Sequence, residues 1–260
     1  MIPADIAELL RREAARINSP EFIALDPVQF PRRYSDQADI EIVSLLAAHL
    51  AWGNRKMICR DVERLLQMMT PSPAAWVRNG AFESVPDELN IHRTFFGRNL
   101  KHMLRGIELI LNRYPPLSAG AATLNLRGKP DAPWLLAEAL NRCLAEANGG
   151  QGDPRCFPLN LETTALKRLN MALRWLVRRD GIVDLGLWHS LDPADLYVPL
   201  DVHVGDTARA LGLTARRAND RKTTREITAA LRTLDPADPA FFDFALFGLG
   251  LEPPQPRNEK

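Results

Sequence analysis

Apolar residues recur at intervals of three and four along almost the whole chain, and this spacing most narrows the folds open to it. Ile40, Val43, Ala47 and Leu50 form one such stripe, and Ile58, Val62, Leu65 and Met69 a second. Leu100, Leu104, Ile107 and Leu111 form another, as do Leu136, Leu140 and Leu144; Leu166, Leu169, Leu173 and Leu176; Val204, Ala208 and Leu211; and Ile227, Ala230, Leu231 and Leu234. A period near 3.6 lays each set along one side of a helix. No segment alternates as a half-buried strand does, so the spacing predicts an all-α fold.

Turn chemistry divides the helices. Breaks are expected at Thr70-Pro71-Ser72-Pro73, at Tyr114-Pro115-Pro116, across 117–133 and at 148–154, the last two framing a helix over 134–147. Apolar helices resume on both sides of each break, so residues 1–260 read as a single unit, with a frayed tail at 252–260. In 238–250, Asp238 can cap, Pro239 can take the first helical position, and apolar residues cover every face except at Asp243. That pattern predicts a central helix. Asp243 on it is read as a structural carboxylate, either tethered to a basic or backbone partner or capping a neighbouring helix.

With 46% hydrophobic residues over 260 positions, the chain can bury a substantial core without covalent staples. Cys59, Cys143 and Cys156 are odd in number and scattered, which implies neither a disulfide framework nor a four-cysteine metal cluster; a reducing cytoplasm suits them. The N-terminal stretch is charged and amphipathic, and no segment approaches the ~20 apolar residues of a membrane span, so no membrane insertion is expected. The net charge of +1 gives no overall pull toward a polyanion. Cations do cluster locally, in Lys167, Arg168, Arg174, Arg178 and Arg179, and in Arg209, Arg216, Arg217, Arg221, Lys222 and Arg225. Such clusters read either as solvated helix faces or as a nucleic-acid surface.

Two segments concentrate polar groups beside apolar ones. In 163–179, Lys167, Asn170, Arg174 and Arg178 share a helix face, a stripe that can follow a phosphate backbone or meet water. In 197–213, Pro199 favours an extended Val198 and places Asp201 at the start of a helix, where it is read as an N-cap with His203 in the first turn.

The run Pro199-Leu200-Asp201-Val202-His203-Val204, leading into a helix with Arg209 and a Leu211-Gly212 ending, resembles the Val-Asp-x-His-Val/Ile segment of the helix-hairpin-helix DNA glycosylase superfamily. The helix pair around Ala51-Trp52-Gly53-Asn54-Arg55 and the apolar ending Leu246-Phe247-Gly248-Leu249-Gly250 resemble that superfamily too. The whole chain also resembles a bacterial family of unknown function through Ala-Trp-Gly-Asn-Arg, His-Arg-Thr-Phe, Lys-Arg-Leu-Asn-Met and Asp-Phe-Ala-Leu-Phe-Gly-Leu-Gly. Among characterised enzymes it is most similar to the archaeal 8-oxoguanine glycosylases, and Lys167 and Asp201 lie 34 residues apart.

The resemblance implies a two-lobed helical glycosylase-like fold. Lys167 would be the Schiff-base nucleophile and Asp201 the carboxylate that stabilises charge developing on the sugar. It further implies DNA contacts from Trp52, Asn54, Arg55, Arg168, Asn170, Arg174, His203 and Arg209, no metal and no cofactor. The partner would be double-stranded DNA with a damaged or flipped base, met by a monomer in the cytoplasm at the nucleoid. Lys167 has to be neutral to attack, which burial and the nearby Arg168 and Arg174 would favour.

One departure stands out: the superfamily's Leu-Pro-Gly-x-Gly turn is missing, with no glycine between Gly152 and Lys167. Its phosphate grip is therefore built differently or absent, and Glu162 would repel phosphate unless turned away. Two other readings stay open. One is a non-catalytic DNA-binding or lesion-recognition module. The other is a metal-dependent hydrolase using Asp201 and His203 with His189 or Asp192. Arg93 and Asp184 read equally as ion-pair anchors or as contacts.

Overall fold

The computed structural model describes residues 2–251, so the tail expected at 252–260 lies outside the described residues. The described chain is helical nearly throughout. It runs through α1 (Ala4–Ile17), α2 (Pro20–Leu25), α3 (Gln37–Leu50), α4 (Arg55–Met68), α5 (Pro73–Arg78), α6 (Gly97–Arg113) and α7 (Leu117–Thr123), then α8 (Ala132–Ala147), α9 (Lys167–Val177), α10 (Val202–Ala210), α11 (Arg221–Arg232) and α12 (Asp243–Leu251). Between α5 and α6, β1 (Asn90–His92) and β2 (Phe95–Phe96) form one antiparallel hairpin. At three and two residues it is too short to show an alternating pattern.

Two segments depart from the sequence expectation. Within 117–133, read as loop, Leu117-Ser-Ala-Gly-Ala-Ala-Thr forms α7 and buries Leu117 and Ala121, four positions apart. The glycine and prolines around it mask a single buried helical turn. Residues Pro239–Phe242 form a 3-10 turn, and α12 begins only at Asp243, because the Asp238 carboxylate accepts from Arg178 rather than from its own helix.

α12 packs between α1 and α10, as its apolar faces require, while α3 packs against α9, α4 and α5. Every residue of α3 from Ala38 to Leu50 is buried, including four polar ones. Buried polar groups need partners. Asp39 accepts from Ser72 Oγ (2.8 Å) and the Ala74 amide (2.7 Å), tying α5 to α3. Glu41 accepts from Trp188 Nε1 (3.0 Å) and the Ser118 amide (3.2 Å), and His49 meets Arg168.

Beneath α9, Arg178 bonds Asp180, Asp184 and Asp238, while Arg174 bonds Asp243 at 3.0 Å and approaches Asp184 at 3.5 Å. The expected outward stripe of Asn170, Arg174 and Arg178 is thus turned inward. Only Lys167, at the helix start, escapes the interior.

Candidate functional site

A cleft of roughly 1140 Å³ opens where the starts of α9 and α10 meet the ends of α3 and α12. Leu166, in the left-handed region at φ 51°, turns the chain into α9 and puts Lys167 at its first position. A quarter of the Lys167 side chain remains open. Its ammonium donates to the Ala51 carbonyl at 2.9 Å, at the end of α3.

Asp201 caps α10 as expected. Its Oδ1 accepts from the Val204 amide at 3.0 Å, which leaves Oδ2 facing Lys167 Nζ at 3.9 Å. Asn219 Nδ2 donates to the Asp201 carbonyl at 3.0 Å and holds this turn from behind. The cap therefore fixes one oxygen and aims the other.

Burial pushes the Lys167 pKa down, Asp201, Asp243 and Asp26 pull it up, and Arg168 pushes it down further. Burial also raises the carboxyl of Asp243 to about 6 against the pull of Arg174. Asp26 is raised for the same reason, opposed by its bond from the Val28 amide and by Arg174, Arg55 and Lys167. The amine thus has three carboxyl groups as electrostatic neighbours, and burial favours its neutral form.

The remaining expected residues divide. Trp52, Asn54, Arg55, Arg168 and His203 all line the cleft. Asn54 caps α4 through the Met57 amide (3.3 Å), and Arg55 lies 5.0 Å over the Phe247 ring. His203 is exposed on the first turn of α10. Arg168 points back to the His49 carbonyl at 3.1 Å.

Asn170 is corrected as a DNA contact, and Arg174 lines the cleft with its charge committed to the interior. They are 1% and 3% exposed, Asn170 donates to the Ala165 carbonyl, and the Arg174 charge faces Asp184 and Asp243. Arg209 is also committed internally, bonding the Arg216 carbonyl, Asn219 and Asp206. The second basic cluster is largely paired: Arg221 bridges Asp131 and Glu162, and Arg216 holds Asp220. Glu162 is thereby occupied by a cation beside the lysine's approach.

Of the two residues left open, Asp184 is an ion-pair anchor for Arg178 and Arg174, and Arg93 stacks 4.7 Å over Trp52. The metal-hydrolase reading finds no ligand set. Among the described residues no three His, Cys, Asp or Glu side chains converge, and Asp192 pairs with Arg127 at 3.1 Å.

Several site residues carried no periodic signal. Asp26 caps a single turn, Phe22 joins Phe244 (5.4 Å) and Phe247 (6.2 Å) in an aromatic cluster beside the cleft, and Arg155 reaches it from the 148–166 segment. Behind Trp52, the buried His92 bonds Asp61 at 2.7 Å and the Trp52 carbonyl at 2.9 Å. The two contacts hold the ring between α4 and the loop and pin the loop in place. Gly53 there has φ +106°, and a Cβ would lie 2.4 Å from Arg93 Nη1, so the turn requires glycine.

Residues 26–252 match the model of a family described as a protein of unknown function (DUF2400). No curated protein and no solved structure matches the chain significantly.

Proposed function

Because the chain belongs to the DUF2400 family of unknown function, its chemistry has to be read from the cleft, and we propose that it is a DNA glycosylase with Lys167 as nucleophile and Asp201 as its electrostatic partner. One observation carries the reading: a lysine with lowered basicity faces the uncapped oxygen of an N-capping aspartate at 3.9 Å inside an open cleft. Structural ion pairs inside this protein are tighter and buried, as at Arg174 and Arg178. A loose, partly open pair can part to admit a substrate atom between its members.

The cleft's composition supports the same reading. Arg55, Arg155 and Arg168 supply positive charge, Arg93 stands outside on Trp52, and Phe22, Phe95, Phe244 and Phe247 offer flat apolar surface. Cations position a phosphate backbone, and aromatic walls accept a base extruded from the stack. In the proposed reaction the neutral Lys167 amine bonds to the anomeric carbon. The glycosidic C–N bond breaks, and its electron pair leaves with the base. The attacking nitrogen then loses a proton and the sugar ring opens, giving a Schiff base, while the Asp201 carboxylate stabilises the positive charge that develops on the sugar. We place the helices in the two-lobed glycosylase arrangement and take double-stranded DNA, met by a monomer at the nucleoid, as the partner.

The test is borohydride trapping on duplexes carrying an abasic site, 8-oxoguanine or uracil. A covalent adduct is expected with the wild-type chain and none with Lys167→Ala. Salt-sensitive DNA binding with no adduct and no base release on any duplex would refute the chemistry and favour a non-catalytic binding module. One observation favours that second reading: in the segment 148–166 that joins α8 to α9, the stretch 153–166 leading into Lys167 has no glycine from which to build a phosphate-gripping turn.

A further inference from the structure

We propose that Asp26 reads a hydrogen-bond donor, an exocyclic amino group, on the base held in the cleft; the inference rests on the Lys167 reading above. Asp26 is 8% exposed and lines the same cleft as Lys167. Its Oδ1 accepts from the Val28 amide at 3.0 Å, and its Oδ2 has no hydrogen-bond partner among the described residues. The other buried carboxylates are held by side chains: Asp39 by Ser72, Glu41 by Trp188, Asp61 by His92, Asp184 by Arg178 and Asp243 by Arg174. Asp26 alone among them lacks such a partner. A ligand that fills the cleft takes this oxygen from water, which is costly unless the ligand donates to it in return.

The surroundings specify the ligand's shape and charge. Phe22 precedes Asp26 by four residues, and Phe22 and Phe247, packed edge to face, give the cleft an apolar aromatic wall that suits a heterocycle. A phosphate is repelled by a carboxylate, so the ligand edge at Asp26 is uncharged or cationic and presents N–H. A base whose corresponding edge carries only a carbonyl oxygen would leave Asp26 unpaired and set two acceptors against each other.

Asp26→Asn tests this without removing the turn. The amide oxygen can still cap Val28, while the free oxygen is replaced by a donor. Two pairs of duplexes, 8-oxoguanine against 8-oxohypoxanthine and 5-hydroxycytosine against 5-hydroxyuracil, differ within each pair by the amino group. The wild-type chain is expected to release the amino-bearing member of at least one pair faster by at least about tenfold, the equivalent of one net hydrogen bond. In Asp26→Asn that preference disappears while an abasic duplex, which has no base to read, is still trapped; because Asp26 also raises the Lys167 pKa, the two members of each pair are compared at one pH, so that any change in the lysine cancels. Asp26→Ser, which caps through its hydroxyl, should lose the preference too.

A preference unchanged in both variants overturns the inference, as does wild-type release with no amino preference, or trapping on the abasic duplex with no release from any of the four. Loss of abasic trapping in both variants assigns Asp26 to the lysine's chemistry and overturns it as well. Failure of the wild-type chain to trap an abasic site removes the Lys167 reading itself, and base reading with it.

Discussion

Replacing Asp201 by Asn should lower the pKa of Lys167 by about one unit while leaving the fold intact. The 3.9 Å separation sets the size of the effect. Two unit charges at that distance interact by about 1 kcal/mol in bulk water and by about 4 kcal/mol at the effective dielectric of a protein surface. Both side chains are about a quarter open, at 25% and 28%, so solvent screens the pair and the lower half of that range applies. Asp201 raises the lysine's pKa in the native chain, so its removal can only lower it. Asn retains the Oδ1 that caps Val204, so the loss of stability should be confined to the lost pair energy, about 1 kcal/mol. The assay is the pH dependence of Lys167 acylation by an amine-reactive label, read by mass spectrometry of the 167-bearing peptide. A midpoint that stays in place or rises in Asp201→Asn would refute the pairing, and so would a large loss of thermal stability.

Three further outcomes follow from the same geometry. Arg174→Met keeps apolar bulk against Phe244 but strands the carboxylate of Asp243 and leaves Asp184 to Arg178 alone, at a cost of about 3–5 kcal/mol in urea unfolding; a loss under about 1 kcal/mol would show this ion pair to be dispensable. Asp243, raised to about 6 in the fold from 3.8, binds its proton more tightly folded than unfolded. Its contribution to stability is therefore fully present below pH 3.8 and is lost as pH rises through 6. Buried His49, pushed well below 6.5 by burial and by Arg168, works in the opposite sense, so the quantity to measure is the stability of the wild type minus that of Asp243→Asn. That difference should grow as pH falls from 7 to 5 and should stay flat if Asp243 is not desolvated. If DNA lies across the cleft, Arg55→Ala and Arg93→Ala should each reduce the slope of log affinity against log salt by about 1, whereas Arg209→Ala, whose guanidinium is used internally, should leave the slope unchanged.

The legible part of this chain was what local spacing encodes. Apolar stripes placed α3, α4, α6, α8, α9, α10 and α11, and the sequence before Asp201 marked it as a cap because Pro199 restricts the preceding backbone and a side-chain oxygen is needed at a helix start. What spacing could not encode was which polar face turns inward. Asn170, Arg174 and Arg178 follow Lys167 at helical intervals and look alike in sequence, yet only Lys167 and Arg174 line the cleft, and of these only Lys167 keeps a partly open side chain. The difference lies in residues far along the chain: Asp238 and Asp243, on or before α12, supply the counter-charges that allow two guanidiniums to be buried. The expected tether at Asp243 was readable because an acid amid an apolar run needs a partner; the identity of that partner, Arg174, was not.

Asp26 illustrates the same limit from the other side. An Asp-Pro pair at the start of a short turn has a sufficient local explanation as a cap, and one oxygen serves that purpose. Its second oxygen acquires meaning only once α9 brings Lys167 and α12 brings Phe244 to the same cleft. Asp201 divides its two oxygens in the same way, one on a backbone amide and one toward the lysine. Two capping carboxylates, each locked by one oxygen, therefore present the other to a common space. A carboxylate fixed in this way has little rotameric freedom left to lose when a ligand arrives, so its free oxygen is already oriented for either charge stabilisation or donor recognition.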